Sequence, residues 1–177
     1  MKDLPVTDKE RFFNDDDIIV SKTDLKGRIT YANQTFLDIA DYKEKEVLGQ
    51  PHSLIRHPDM PRSIFKLLWD TLQNGQEIFA YVKNRTKMGD YYWVIAHVTP
   101  SRNPQGKVTG YHSNRRVPDR AVLDETIIPL YQELLTIERQ SDRKTGLEKS
   151  YEKLAAVLQE QAQAYDEFIA NIMRKAG

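Results

Sequence analysis

Between Ile78 and Arg115 the chain alternates three strand-length runs with two short glycine-bearing links, and no other feature restricts its fold so tightly. The runs are Ile78–Asn84, Tyr91–Thr99 and Val108–Arg115; the links are Lys87–Asp90 (KMGD) and Asn103–Lys107 (NPQGK). Glycine supplies the positive φ that a tight hairpin turn needs, so the runs are expected to pair as consecutive antiparallel strands. Two more strand-like runs, Asp17–Lys22 and Arg28–Tyr31, flank the turn Thr23–Gly27 (TDLKG). Between the two groups the apolar period lengthens from two to three and four. Phe36, Leu37, Ile39 and Ala40 suit a short helix with Asn33 as its N-cap, and Lys43–Leu48 suits a helical turn stopped by Gly49. From Arg62 to Asn74, the residues Ile64, Phe65, Leu68, Trp69 and Leu72 form one apolar helical stripe that Gly75 ends. This order predicts an α+β fold, a five-stranded antiparallel sheet with helices on one face.

After residue 118 the pattern changes again. Leu123, Ile127, Leu130, Leu134 and Ile137 alternate steps of four and three, as do Leu147, Tyr151, Leu154, Leu158, Gln161, Tyr165, Phe168 and Ile172. That is the seam of a coiled coil or an antiparallel helical pair, with Ser141–Gly146 (SDRKTG) as the break. Such helices either pack back on their own domain or form a dimer or partner-binding surface. Residues 1–14 are polar and close on Phe12 and Phe13, an aromatic pair expected to cover an apolar edge. The chain thus divides into an N-terminal cap (1–16), a main domain (17–118) and a C-terminal helical tail (119–177).

Composition removes whole classes of function. The chain has 177 residues, with 26 Lys plus Arg against 26 Asp plus Glu and no net charge. Nucleic acid is therefore not an expected partner, because neutralising phosphates requires a cationic surplus. No run approaches the ~18 apolar residues of a membrane span, and residues 1–10 are polar, unlike a signal peptide. A cytoplasmic protein with no direct membrane insertion is expected. Cysteine is absent, which excludes disulfides, thiolate-ligated haem, cysteine-bound iron–sulfur clusters, four-cysteine zinc sites and cysteine–flavin adducts. His52, His57, His97 and His112 show no metal-ligand spacing. No Ser or Thr is spaced with a histidine and carboxylate as a nucleophile would be, and no glycine-rich phosphate loop occurs, so an enzyme is not expected.

The stretch Leu54–Phe65, LIRHPDMPRSIF, supports two readings. Pro58 and Pro61 fix φ and suit a chain leaving a turn and entering a helix, with Asp59 close enough to cap it or to pair with Arg56. Alternatively the stretch is the lip of a pocket for something charged. Arginine's planar fork suits a pyrophosphate or an anionic ring edge, and the N–H groups opening the next helix add positive potential. Trp69 is a core residue that could also flank a flat apolar ring. Asn84, inside an apolar strand, must either find partners for its amide or face solvent. By alternation Tyr91 and Trp93 share one strand face and Tyr92 the other.

Several segments together carry a family resemblance. Asp24–Gly27, Tyr31–Phe36 (YANQTF), Val47–His52 (VLGQPH), IRHPDMP, Val82–Asn84 (VKN), Gly89–Val94 (GDYYWV) and Gly110–Arg115 (GYHSNR) resemble a PAS domain, and more narrowly the PAS domains of bacterial aerotaxis receptors. A PAS domain followed by a short helical tail is similar to the stand-alone PAS protein of bipartite energy-taxis systems. Those proteins work beside a transmembrane methyl-accepting chemoreceptor.

The resemblance implies a redox sensor that holds FAD non-covalently between sheet and helices. Its signal would pass through the tail, as a homodimer, to a chemoreceptor or another signalling protein. By residue match the FAD-binding residues are Arg56, His57 and Asp59, with Asn33, Trp69, Asn84 and Tyr92 as further pocket positions. Relatives commonly carry Trp and Gly where this chain has Ile78 and Ala80, a change in one pocket wall. Two alternatives stand beside this reading: a haem-binding PAS oxygen sensor with haem b on His57, and a cofactor-free PAS dimerisation or interaction module.

Overall fold

The computed structural model describes residues 6–160, and the statements below concern those residues. The seam positions Gln161, Tyr165, Phe168 and Ile172 lie outside them. Five strands form one antiparallel sheet: β1 (Ile19–Asp24), β2 (Ile29–Ala32), β3 (Ile78–Arg85), β4 (Tyr91–Arg102) and β5 (Val108–Arg116), in the order β2-β1-β5-β4-β3. The first and last strands in sequence are thus neighbours, with Ile19 opposite Arg115, Ser21 opposite Ser113 and Thr23 opposite Tyr111. Gly110 permits that pairing. A Cβ there would stand 2.1 Å from the Thr23 carbonyl oxygen, so the two backbones approach only because the side chain is missing.

One face of the sheet carries α1 (Gln34–Ala40), α2 (Glu44–Val47), a 3₁₀ turn (His52–Ile55) and α3 (Arg62–Gln73). Asn33 caps α1 as expected, accepting from the Phe36 N–H at 3.0 Å. The same amide accepts from the Val20 N–H and donates to the Ile18 carbonyl, tying α1 to β1. Ile64 and Leu72 of α3 are buried with Ile19, Ile29, Phe36, Ile55 and Val94, each burial contributing ~1.5–3 kcal/mol.

The tail covers the opposite face. α4 (Arg120–Val122), a π turn (Leu123–Ile127) and α5 (Ile128–Arg139) lead into α6 (Arg143–Glu160). The Tyr131 hydroxyl donates to the Tyr81 carbonyl at 2.8 Å, and its ring lies 6.1 Å from that of Trp93. Tyr81, Trp93 and Ile95, which point away from α1–α3, are buried. Leu123, Ile127, Leu134 and Leu154 of the expected seam are also buried, so over the described residues the tail is a hairpin packed on its own domain. The break is shorter than expected. Asp142 caps α6 through the Lys144 and Thr145 N–H groups, while Gly146 lies within α6, where a Cβ would meet the Glu138 carbonyl oxygen at 2.5 Å.

At the other end, the Tyr91 N–H donates to the Lys9 carbonyl and the Arg11 N–H donates to that of Tyr91. Arg11 also clamps Asp41 and Asp90. Only Phe13 of the aromatic pair packs against the core; Phe12 is 75% exposed. No helix among the described residues is long and apolar enough to cross a membrane.

Candidate ligand-binding site

A cavity of about 240 Å³ lies between α3 and the sheet. Strand alternation selects its floor: Ser21 and Thr23, Val82 and Asn84, Ala96 and Val98, then Tyr111, Ser113 and Arg115, each set spaced by two. Phe65, Leu68, Trp69 and Leu72 of α3 form the helical wall, and His52 and Arg56 contribute from the connecting segment.

Arg115 is the most constrained of these residues. It is 4% exposed, and its Nη2 donates to Ser21 Oγ at 2.8 Å and to His52 Nε2 at 2.7 Å. A guanidinium can only donate, so His52 Nε2 accepts and the imidazole proton sits on Nδ1. Burial, reinforced by the neighbouring cation, holds the His52 pKa down to about 3, and the ring is neutral at pH 7. Burial also lowers Arg115 to about 10, which leaves it charged. Its Nη1 is buried without a partner.

Arg56 stands against α3. Its guanidinium carbon is 3.3 Å from the centroid of the Phe65 ring, and its Nε is buried and unpartnered. Desolvation lowers its pKa to about 10. The backbone of Arg56 bridges to Asn84 on the free edge of β3. Asn84 is 3% exposed and its Nδ2 also lacks a partner. The Ser113 hydroxyl is likewise buried without a partner, so four residues lining one cavity each carry an orphan donor. Leaving a buried donor unsatisfied costs ~1–3 kcal/mol, so this donor set fits a ligand rich in hydrogen-bond acceptors and negative charge.

The residues expected from the sequence divide into two groups. Arg56, Trp69 and Asn84 line the cavity, with Trp69 meeting Tyr111 edge-on at 5.4 Å. His57, Asp59, Asn33 and Tyr92 are not among its lining residues. His57 is fully buried, its Nδ1 accepts from the Asp59 N–H at 3.1 Å, and its ring meets Tyr91 edge-on at 5.9 Å. Burial, with Lys83 near, holds its pKa down to about 4. Asp59 pairs with Lys83 at 3.2 Å and with Arg139 of α5 at 3.5 Å. It thus neither caps α3 nor pairs with Arg56. Tyr92 is wholly buried and its hydroxyl lacks a partner, with burial pushing its pKa up. Ile78 and Ala80 are buried beside the cavity without lining it.

Arg115, His52, Ser21 and Phe65 are site residues that the sequence reading did not single out. For Arg115 a signal existed, since two-residue spacing from Tyr111 and Ser113 puts a cation on an inward strand position. His52 and Phe65 had no such mark.

Residues 29–115 match a family described as the PAS fold. The aerotaxis receptor of Escherichia coli (strain K12) is 42% identical over 130 residues, covering 73% of this chain and 25% of that protein. The nitrogen fixation regulatory protein of Klebsiella pneumoniae is 32% identical over 99 residues, 56% of this chain and 20% of that protein. The chain thus spans a quarter or less of the length of these curated relatives. Among solved structures, a light-oxygen-voltage domain studied with a flavin analogue superposes with a TM-score of 0.56 at 20% identity, over 66% of this chain and 87% of that one. That likeness concerns the fold.

Proposed function

We propose that the chain, whose residues 29–115 match the PAS fold family, works on this scaffold as a cytoplasmic redox sensor for energy taxis. In this reading it binds FAD in the cavity and signals through its tail to a transmembrane methyl-accepting chemoreceptor. The observation that carries the reading is the set of orphan donors on Arg56, Asn84, Ser113 and Arg115 facing the apolar wall that α3 supplies. A flavin ring offers carbonyl oxygens and ring nitrogens along one edge and a flat apolar body behind it. The cavity of about 240 Å³ is below the ~300–1,000 Å³ usual for small-molecule sites, so in this reading only the ring system enters it. Likeness to an aerotaxis receptor supports the taxis role.

Arg115 and Asn84 would hold the polar edge of the ring, with Phe65, Leu68 and Trp69 against its body. Bound flavin would supply a redox centre whose reduction adds electrons and protons. Around it, His52 and Ser21 keep Arg115 in place, and the neutral His52 leaves the arginine charge free to answer a change in ligand charge. Asn84 links that change to β3 and, through the backbone bridge, to Arg56. A modest preference for one arrangement of these groups is enough to shift a population of tail conformations. His57 as a haem ligand is less supported: its ring is not at the cavity, and because Nδ1 accepts from the Asp59 N–H, the buried and unpartnered Nε2 carries the ring proton rather than a free lone pair.

Protein purified gently, or reconstituted with FAD, is expected to show paired flavin absorption bands and to release FAD on denaturation. Arg115→Ala and Asn84→Ala proteins are expected to lose occupancy. A Soret band without extractable flavin, or no visible absorption after reconstitution, overturns the reading.

A further inference from the structure

α3 has no cap of its own. Pro61 occupies the N-cap position without a side-chain bond, and Asp59 is committed to Lys83. The acceptor comes instead from the tail. Glu138 of α5, 7% exposed, accepts from the Ser63 N–H through Oε1 at 3.0 Å and from Arg62 Nε through Oε2 at 2.9 Å. Arg62 also donates to the Arg143 carbonyl at the start of α6, at 2.6 Å. Ser150 of α6 donates to the Ser63 hydroxyl at 2.7 Å, with both serines fully buried. Both tail helices therefore grip the first turn of α3. Within the next two turns the same helix presents Phe65, which stacks on Arg56, and then Leu68 and Trp69, which line the cavity.

Undocking the hairpin would leave the Ser63 N–H without its acceptor and return a buried carboxylate to water, so docked and undocked arrangements are distinct states rather than a continuum. A ligand that fixes Phe65, Leu68 and Trp69 fixes the turn that Glu138 caps. We propose that Glu138 is a latch through which the cavity and the α5–α6 hairpin bias each other, by way of the α3 N-terminus rather than the strands. The inference rests on the flavin reading only in its choice of ligand. By linkage the coupling is reciprocal: whatever factor the docked hairpin adds to ligand affinity, the ligand adds to docking.

The test is amide hydrogen exchange on the full chain with and without FAD, for wild type, Glu138→Ala and Tyr131→Phe. In wild type, FAD is expected to slow exchange across 128–155 by about fivefold or more, a typical coupling factor. In Glu138→Ala the hairpin and the first turn of α3 should exchange about tenfold faster, and FAD should no longer slow the hairpin. Tyr131→Phe, which removes the hydrogen bond to the Tyr81 carbonyl of β3, should retain the FAD effect. Unchanged exchange in Glu138→Ala, no effect on the hairpin of wild type with FAD bound, or loss of the effect only in Tyr131→Phe overturns the proposal. If none of the proteins binds FAD, the flavin reading fails, and the latch is decided by the Glu138→Ala comparison in the ligand-free chain. Should Glu138→Ala not fold, Arg62→Gln is measured in its place; it removes the bonds to Glu138 Oε2 and to the Arg143 carbonyl and leaves the Ser63 cap, so faster hairpin exchange and a reduced FAD effect are expected, and exchange identical to wild type overturns the proposal.

Discussion

The guanidinium of Arg56 lies 3.3 Å above the centroid of the Phe65 ring. This stack joins the segment between the two prolines to α3, and it holds a cation at a cavity with no carboxylate among its lining residues. A desolvated cation–π contact contributes ~0.5–2 kcal/mol. Phe65→Leu keeps much of the apolar bulk and removes the ring face, so FAD affinity is expected to fall about 2- to 30-fold. Arg56→Lys should lose a similar factor, because an ammonium lacks the planar fork. Fluorescence titration of the ligand-free proteins measures both; unchanged affinity would separate the stack from binding.

Arg115 makes a sharper case, because the fold and the ligand are expected to disagree about it. It is a buried cation held by two neutral groups, with one nitrogen unpartnered. Replacing such a charge by an apolar residue of similar length is often neutral or stabilising. Arg115→Met is therefore expected to leave the ligand-free melting temperature equal or higher while weakening FAD binding by about tenfold or more. A lower melting temperature with intact binding would make Arg115 a structural residue.

Gly110 tests the sheet itself. Its backbone needs no left-handed angle, so the whole cost of Gly110→Ala comes from the Cβ meeting the Thr23 carbonyl at 2.1 Å. Separating β1 from β5 should cost ~2–4 kcal/mol in urea unfolding. Gly106→Ala is the control: φ is +78° with nothing within 4 Å, so only the conformational penalty of ~1–2 kcal/mol is expected. Equal costs at the two sites would contradict the close approach.

The fold is also expected to weaken in mild acid. Burial depresses His52 to about 3 and His57 to about 4 from an ordinary 6.5. Between pH 6.5 and 4 the unfolded chain binds protons that the folded chain refuses. Stability is then complete above pH 6.5 and declines as pH falls through this window, by a few kcal/mol. His57→Asn keeps an acceptor for the Asp59 N–H and removes the titration, so its urea midpoint should fall less between pH 7 and 5. Parallel midpoint curves for the two proteins would exclude a contribution from His57.

Much of this molecule was legible in its sequence. Asn33 was readable as an N-cap because capping is local, an amide three residues from the N–H it serves. The hairpin glycines and the two-residue alternation of β3, β4 and β5 likewise gave the sheet, and the four–three steps of Leu123 to Leu134 gave the tail. Arg56, Trp69 and Asn84 could be connected to a pocket by residue match. That His57 and Asp59 face Tyr91 and Lys83 could not be read in the same way, because RHPDMP has no periodicity to say which side of the β3 edge each residue takes.

What the sequence determined by itself is therefore local: which segments extend, which coil, where they turn, and that the tail has an apolar seam to bury. What only the tertiary structure decided is who meets whom across the chain. Arg115 reaches Ser21 because β1 pairs with β5, 94 residues away, and Glu138 caps an α3 N–H 75 residues upstream. Periodicity and capping leave a mark within a few residues because they satisfy the backbone locally. Long-range partners leave none, since they are chosen by strand order, register and the groups that burial leaves without a partner.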